Sequence, residues 1–116
     1  MAVLGLNLVV IRSVDIHRAV RMYQALGLTF TLHAHGQGPE HYSAEIGEFV
    51  FEIYPASSKV GDTRGTRLGS KVSSVEESLS AVVNEGAEVI AAPADSPWGR
   101  RAVVRDRDGH AVELSS

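Results

Sequence analysis

The chain has no cysteine. That excludes a disulfide scaffold, thiolate metal ligands and a cysteine nucleophile. It has no excess of positive charge either: the formal net charge is −3, so no global basic footprint for nucleic acid exists. The local cluster Arg100, Arg101, Arg105 and Arg107 reads as a solvated strand edge. No apolar run approaches the ~20 residues that span a bilayer. Met1 to Ile11 is apolar, but no basic residues precede the run and no small-residue cleavage pattern follows soon after. It reads as a strand rather than a signal peptide, and the expected location is cytoplasmic. A glycine-rich phosphate loop, a nucleophile elbow with a Ser-His-Asp order, and the surroundings of a glycosidase carboxylate pair are all missing.

What is present is ordinary for one folded unit: 116 residues, 44% hydrophobic and 22% charged. Leu6 to Ile11 is a short branched apolar run, a buried strand. Ser13 and Asp15 offer helix caps. Ile16, Val20, Tyr23 and Leu26 then recur at helical spacing, and Gly27 stops the helix. Leu28 to Ala34, Tyr42 to Ile46 and Phe49 to Tyr54 read as strands, separated by the turn signals at Gly36–Pro39 and Gly47. Residues 56–66 are polar, lack periodicity and read as a linker.

The second half repeats this order. Leu68 to Val72 is a strand. Ser74 and Glu77 have capping-box spacing. Val75, Leu79 and Val82 form the helical stripe that Gly86 ends. Val89 to Ala92, Ala102 to Arg105 and Ala111 to Leu114 are strands, with a loop expected over Pro93 to Gly99 and a tight turn at Asp108-Gly109. Gly27 matches Gly86, and Phe51-Glu52-Ile53 matches Val112-Glu113-Leu114, at nearly equal offsets. The expectation is an internal duplication: a single domain over 1–116, with module one at about 5–55, the linker at 56–66 and module two at 67–115.

Two segments carry a family resemblance. VDIHRAVRMYQALGL resembles the first-helix signature of the vicinal-oxygen-chelate superfamily (glyoxalase, bleomycin-resistance and extradiol-dioxygenase proteins). PWGRRAVVRDRDGHAVELSS resembles its C-terminal signature, with Trp-Gly, an arginine, an Asp-x-Asp-Gly turn and a final Glu-Leu. The resemblance covers roughly Leu6 to Leu114. It implies an α+β fold of two βαβββ modules that form a curled, cleft-containing mixed sheet. It also implies homodimerisation, in some members with a cleft shared between chains. The superfamily hosts both enzymes and non-catalytic binders, so the fold alone does not choose a function.

Metal-using relatives place four ligands in the cleft, at the first and last strand of each module. Carried over by position, the last-strand sites hold Glu52 and Glu113. Strand parity points both away from the helix-facing residues Phe51, Ile53, Val112 and Leu114. The first-strand sites depart from the pattern, because they hold Asn7 (with Leu6 as the register alternative) and Arg67 where relatives commonly have histidine. Asn7 is a weaker ligand than imidazole for zinc, nickel or iron. Arg67 has only donors and cannot ligate a metal. The resulting expectation is a cleft without metal, in which Arg67 forks onto Glu113, Glu52 or both.

Other candidates accompany these. His41 is the best candidate for proton transfer or ligand contact, so Glu52, Glu113 and His41 are the catalytic candidates if chemistry occurs. Tyr54 shares the face of Glu52, Trp98 sits in a Pro-Trp-Gly loop at the expected cleft rim, and Arg101 is placed facing the same cavity. His33 and His35 lie two apart on one strand face and read as a polar hairpin rather than a metal pair. His17 is expected on the helix surface and His110 in a structural role. The first functional expectation is a binder of a small, partly apolar ligand. The second is a metal-dependent lyase, isomerase or dioxygenase using Glu52 and Glu113, with a divalent ion as cofactor. The third is a subunit that borrows the fold for dimerisation.

Overall fold

A computed structural model describes residues 1–116. The first module is β1 (Leu8–Ser13), α1 (Ile16–Ala25), β2 (Thr31–His33), β3 (His41–Ile46) and β4 (Phe49–Pro55). The second is β5 (Arg67–Lys71), α2 (Val75–Asn84), β6 (Glu88–Ser96), β7 (Gly99–Arg105) and β8 (Ala111–Ser115). Each builds one four-stranded sheet, in the orders β1-β4-β3-β2 and β5-β8-β7-β6. The first strand of each module runs parallel to its last, and the other neighbours are antiparallel. The α+β architecture of two βαβββ units is therefore present, with the same topology in both halves.

The local signals explain the helix ends. The Asp15 side chain accepts from the Arg18 N–H at 3.1 Å, and the Ser74 hydroxyl accepts from the Glu77 N–H at 3.2 Å. The Ser13 hydroxyl, also a cap candidate, instead accepts from the Asp15 N–H at the end of β1. At the other end of α2, Gly86 N–H donates to the Val83 carbonyl and Ala87 N–H to the Val82 carbonyl. This is a Schellman closure, and it needs the left-handed φ of +96° at Gly86.

Several strand boundaries differ from the sequence reading, among them the start of β7 at Gly99 rather than Ala102. β1 starts at Leu8, not Leu6, and runs on to a fully buried Ser13. β2 is only Thr31–His33, because Leu28 and Phe30 turn inward against the core ahead of it. β6 continues through the expected loop to Ser96, with register shifts between Val89 and Ala94. Pro93 lies in that irregular stretch of an edge strand, where its missing N–H costs no ladder bond.

One core joins both modules: Ile11, Val20, Tyr23 and Ile53 pack with Val82, Val104, Val112 and Leu114. The helices α1 and α2 touch, and no strand of one sheet comes within 8 Å (Cα to Cα) of a strand of the other. A buried polar network reinforces the junction. The Tyr23 hydroxyl on α1 donates to Asp106 Oδ2 at 2.6 Å, and His110 Nδ1 lies 2.7 Å from the same oxygen. His110 Nε2 lies 2.5 Å from Thr63 Oγ1, which also accepts the Arg12 N–H at 2.8 Å. The network thus ties α1, β1, the linker and the β7–β8 turn together. No helix is long and apolar enough to cross a membrane.

Candidate functional site

Strand parity places the two expected glutamates as the sequence suggested. On β4, Phe51 and Ile53 are buried in the core, and Glu52 lies between them on the opposite face. On β8, Val112 and Leu114 are fully buried, and Glu113 alternates away. Neither carboxylate is deeply buried; their side chains keep 18% and 31% of their exposure.

Glu113 is held by two arginines. Arg67, at the start of β5, brings Nη2 to 3.1 Å from Glu113 Oε2. Arg101, on β7, approaches with Nε at 2.6 Å from Oε1 and Nη2 at 3.3 Å from Oε2, a fork geometry. The Arg101 and Arg67 hydrogen bonds hold the Glu113 carboxyl below the usual carboxylate range. The same hydrogen bond raises the Arg101 guanidinium pKa. The expected Arg67 contact thus falls on Glu113 and not on Glu52, and Arg101 has the closer contact. Beside them, Ser96, Trp98, Arg101, Glu113 and Ser115 line a cavity of about 340 Å3. Trp98 sits on the turn between β6 and β7 with 87% exposure. Ser96 fixes that turn: its hydroxyl donates to the Gly99 carbonyl at 2.6 Å and accepts the Trp98 N–H at 3.2 Å.

Glu52 has a different set of neighbours. His41 Nε2 on β3 is 3.6 Å from Glu52 Oε2 and 3.3 Å from the Tyr54 hydroxyl. His41 is 5% exposed, and its ring stacks on Tyr54 with centroids 4.1 Å apart. Arg12 on β1, opposite Tyr54 in register, places its guanidinium carbon 5.3 Å from the Tyr54 ring centre. Asn7 lies just ahead of β1, and its backbone carbonyl accepts the Val50 N–H at 2.9 Å.

The eight expected cleft residues therefore fall into two groups. Arg67, Trp98, Arg101 and Glu113 meet on module two, while His41, Glu52 and Tyr54 meet on module one with Asn7 at the start of its first strand. A more apolar groove of about 390 Å3 runs between the modules, lined by Leu6, Leu8 and Phe49 on one side and Arg67 and Leu68 on the other. Arg12, Ser96 and Ser115 were not readable as site residues from sequence. Each reaches its group through cross-strand register, which no local pattern reports. His17 is on the exposed face of α1 with Nδ1 2.8 Å from the Tyr42 hydroxyl, and His110 is fully buried.

Solved structures share this fold. One is the hypothetical protein SA1046 from S. aureus: 17% identity, 99% of this chain and 95% of that chain covered, TM-score 0.79. TioX from Micromonospora sp. ML1 is 25% identical, with 96% and 97% covered and TM-score 0.71. TnmS3 from Streptomyces sp. CB03234, described as an antibiotic binding protein, is 20% identical, with 99% and 97% covered and TM-score 0.73. No curated protein matches the chain. The family model for the Glyoxalase/Bleomycin resistance protein/Dioxygenase superfamily matches residues 5–114. With the duplicated βαβββ topology and nearly the whole chain matched, this protein belongs to the glyoxalase/bleomycin resistance protein/dioxygenase superfamily.

Proposed function

We propose that this chain binds a small, partly apolar ligand beside Trp98, Arg101 and Glu113, with no metal ion on Glu113. The observation that carries the reading is the pairing of Glu113 with both Arg67 and Arg101. A divalent ion at that carboxylate would have to displace both guanidiniums, one of which already supplies a fork. The pair leaves the carboxylate neutralised and keeps fixed N–H donors at the cavity wall. Trp98 adds a large exposed ring at the rim, suited to a planar ligand. The antibiotic-binding description of TnmS3, a protein of the same fold, supports ligand binding as the role. The working form is a homodimer, an expectation that the family resemblance motivates, in which a second copy would enclose the ligand further.

A metal-dependent enzyme is the second reading. It draws on Glu52, which has no arginine partner and keeps His41 within 3.6 Å. Trp98 is the sole tryptophan, so its fluorescence reports this site alone. Titration with planar, partly apolar compounds in the presence of a chelator is expected to give saturable quenching. The Arg101→Ala variant is expected to weaken it. Turnover of a carbonyl substrate that requires added metal and is lost in Glu113→Gln would replace the binding reading with the enzymatic one.

A further inference from the structure

The open edge of the first sheet carries three imidazoles that the ligand site leaves unused. His33 ends β2, and His35 follows two residues later, so an extended chain puts both on one face. His41 on β3 is the direct cross-strand partner of His33. Ring centroids are separated by 5.5 Å (His33–His35), 5.6 Å (His33–His41) and 5.7 Å (His35–His41), nearly an equilateral triangle. Three histidines around one ion, with nitrogen ligands at about 2.0–2.1 Å, place their ring centres roughly 5.2–5.5 Å apart.

We propose that His33, His35 and His41 form a site for a divalent transition-metal ion, of the zinc, nickel or copper class that imidazole favours. His33 and His35 lie outside the expected cleft residues, whereas His41 is one of them and stands beside Glu52. Two features prepare the set. His41 Nδ1 lies 3.3 Å from the Pro39 carbonyl oxygen, which can only accept; in the tautomer that carries the hydrogen on Nδ1, Nε2 presents its lone pair. A backbone carbonyl on the distal nitrogen is the usual support for a ligating histidine. The second feature is Glu52 Oε2, 3.6 Å from His41 Nε2, a negative charge beside the place the ion would take. As they stand, His33 lies stacked with His35 and with His41, the His35 and His41 rings are tilted by 42°, and the three side chains are not arranged to hold an ion. Binding therefore requires His33 and His35 to turn about their terminal torsions, which have broad minima. His35 is exposed and His33 partly so, leaving both free to turn.

The test is calorimetric titration of tag-free protein with zinc and nickel ions alone, repeated with cobalt and read by visible absorption. Wild type is expected to bind one ion per chain, with the absorption of a nitrogen-rich tetrahedral cobalt site. His33→Ala and His35→Ala are each expected to lose roughly tenfold or more in affinity while keeping the wild-type melting curve. His17→Ala, which removes a histidine outside the triangle, is expected to bind as wild type does. Unchanged affinity in both His33→Ala and His35→Ala overturns the proposal. So does the absence of saturable one-to-one binding, or binding that depends on Glu113 instead.

Discussion

The buried bond between Tyr23 and Asp106 gives a demanding test of how the two modules are held together. Asp106 is 7% exposed and takes four donors: the Tyr23 hydroxyl and His110 Nδ1 on Oδ2, and the Asp108 and His110 N–H groups on Oδ1. Tyr23→Phe deletes one of these bonds and leaves the ring packing against Phe51 in place. A buried hydrogen bond to a charged acceptor is worth about 1.5–3 kcal/mol, so the variant should lose that much in chemical denaturation. For a chain of this size that corresponds to a fall of roughly 5–12 °C in Tm. Burial opposes ionisation of Asp106, but its hydrogen bonds to His110 and Tyr23 outweigh this and hold its pKa below the ordinary value. The stability it contributes is therefore present above the unfolded carboxylate pKa and is lost as pH falls through the lower folded one. Tyr23 is shifted upward, by burial first and then by the Asp106 charge. Its contribution is complete below the ordinary tyrosine pKa and is lost as pH rises toward the folded value. Asp106→Asn should accordingly be destabilised at neutral pH and converge on wild type in acid. A Tyr23→Phe variant within about 0.5 kcal/mol of wild type would refute the weight given to this junction.

Arg67→Ala should change Tm by about 2 °C or less, because Arg67 is half exposed and Arg101 still holds Glu113; a large loss would mean that Glu113 is far less solvated than its contacts indicate. Ser74→Ala removes the α2 cap and should cost about 1 kcal/mol in a denaturant midpoint measurement. Gly109→Ala should destabilise more than an ordinary turn substitution, since φ is +91° and the new Cβ would lie 2.7 Å from Arg64 Cγ. Sedimentation should show two copies per particle at micromolar concentration; a monomer at every concentration would remove the homodimer from the proposal.

The fold was largely legible because the duplicated order of elements is written twice, and each copy checks the other. Gly27 and Gly86 end the two helices as their positions suggested, with φ of +93° and +96°. Strand parity alone placed Glu52 and Glu113 on the faces opposite the core. Contacts set by long-range register were not legible. Nothing local in sequence pairs Arg101 with Glu113 or Arg12 with Tyr54, because such pairs depend on which strands are neighbours and in what alignment. The extension of β6 past Pro93 was hidden for a related reason, since a proline is excluded from a central strand but tolerated at an irregular edge. The histidines show the same limit. His33 and His35 looked like an ordinary polar hairpin until the β2–β3 register put His41 opposite.

The claim that Glu113 serves a ligand rather than a metal is tested most directly by ligand screening with backbone amide NMR in excess chelator. The expected result is a set of compounds whose binding shifts the resonances of Ser96, Trp98, Arg101 and Ser115 with no ion present. Binding that appears only when a divalent ion is added, and that Glu113→Gln abolishes, would contradict it.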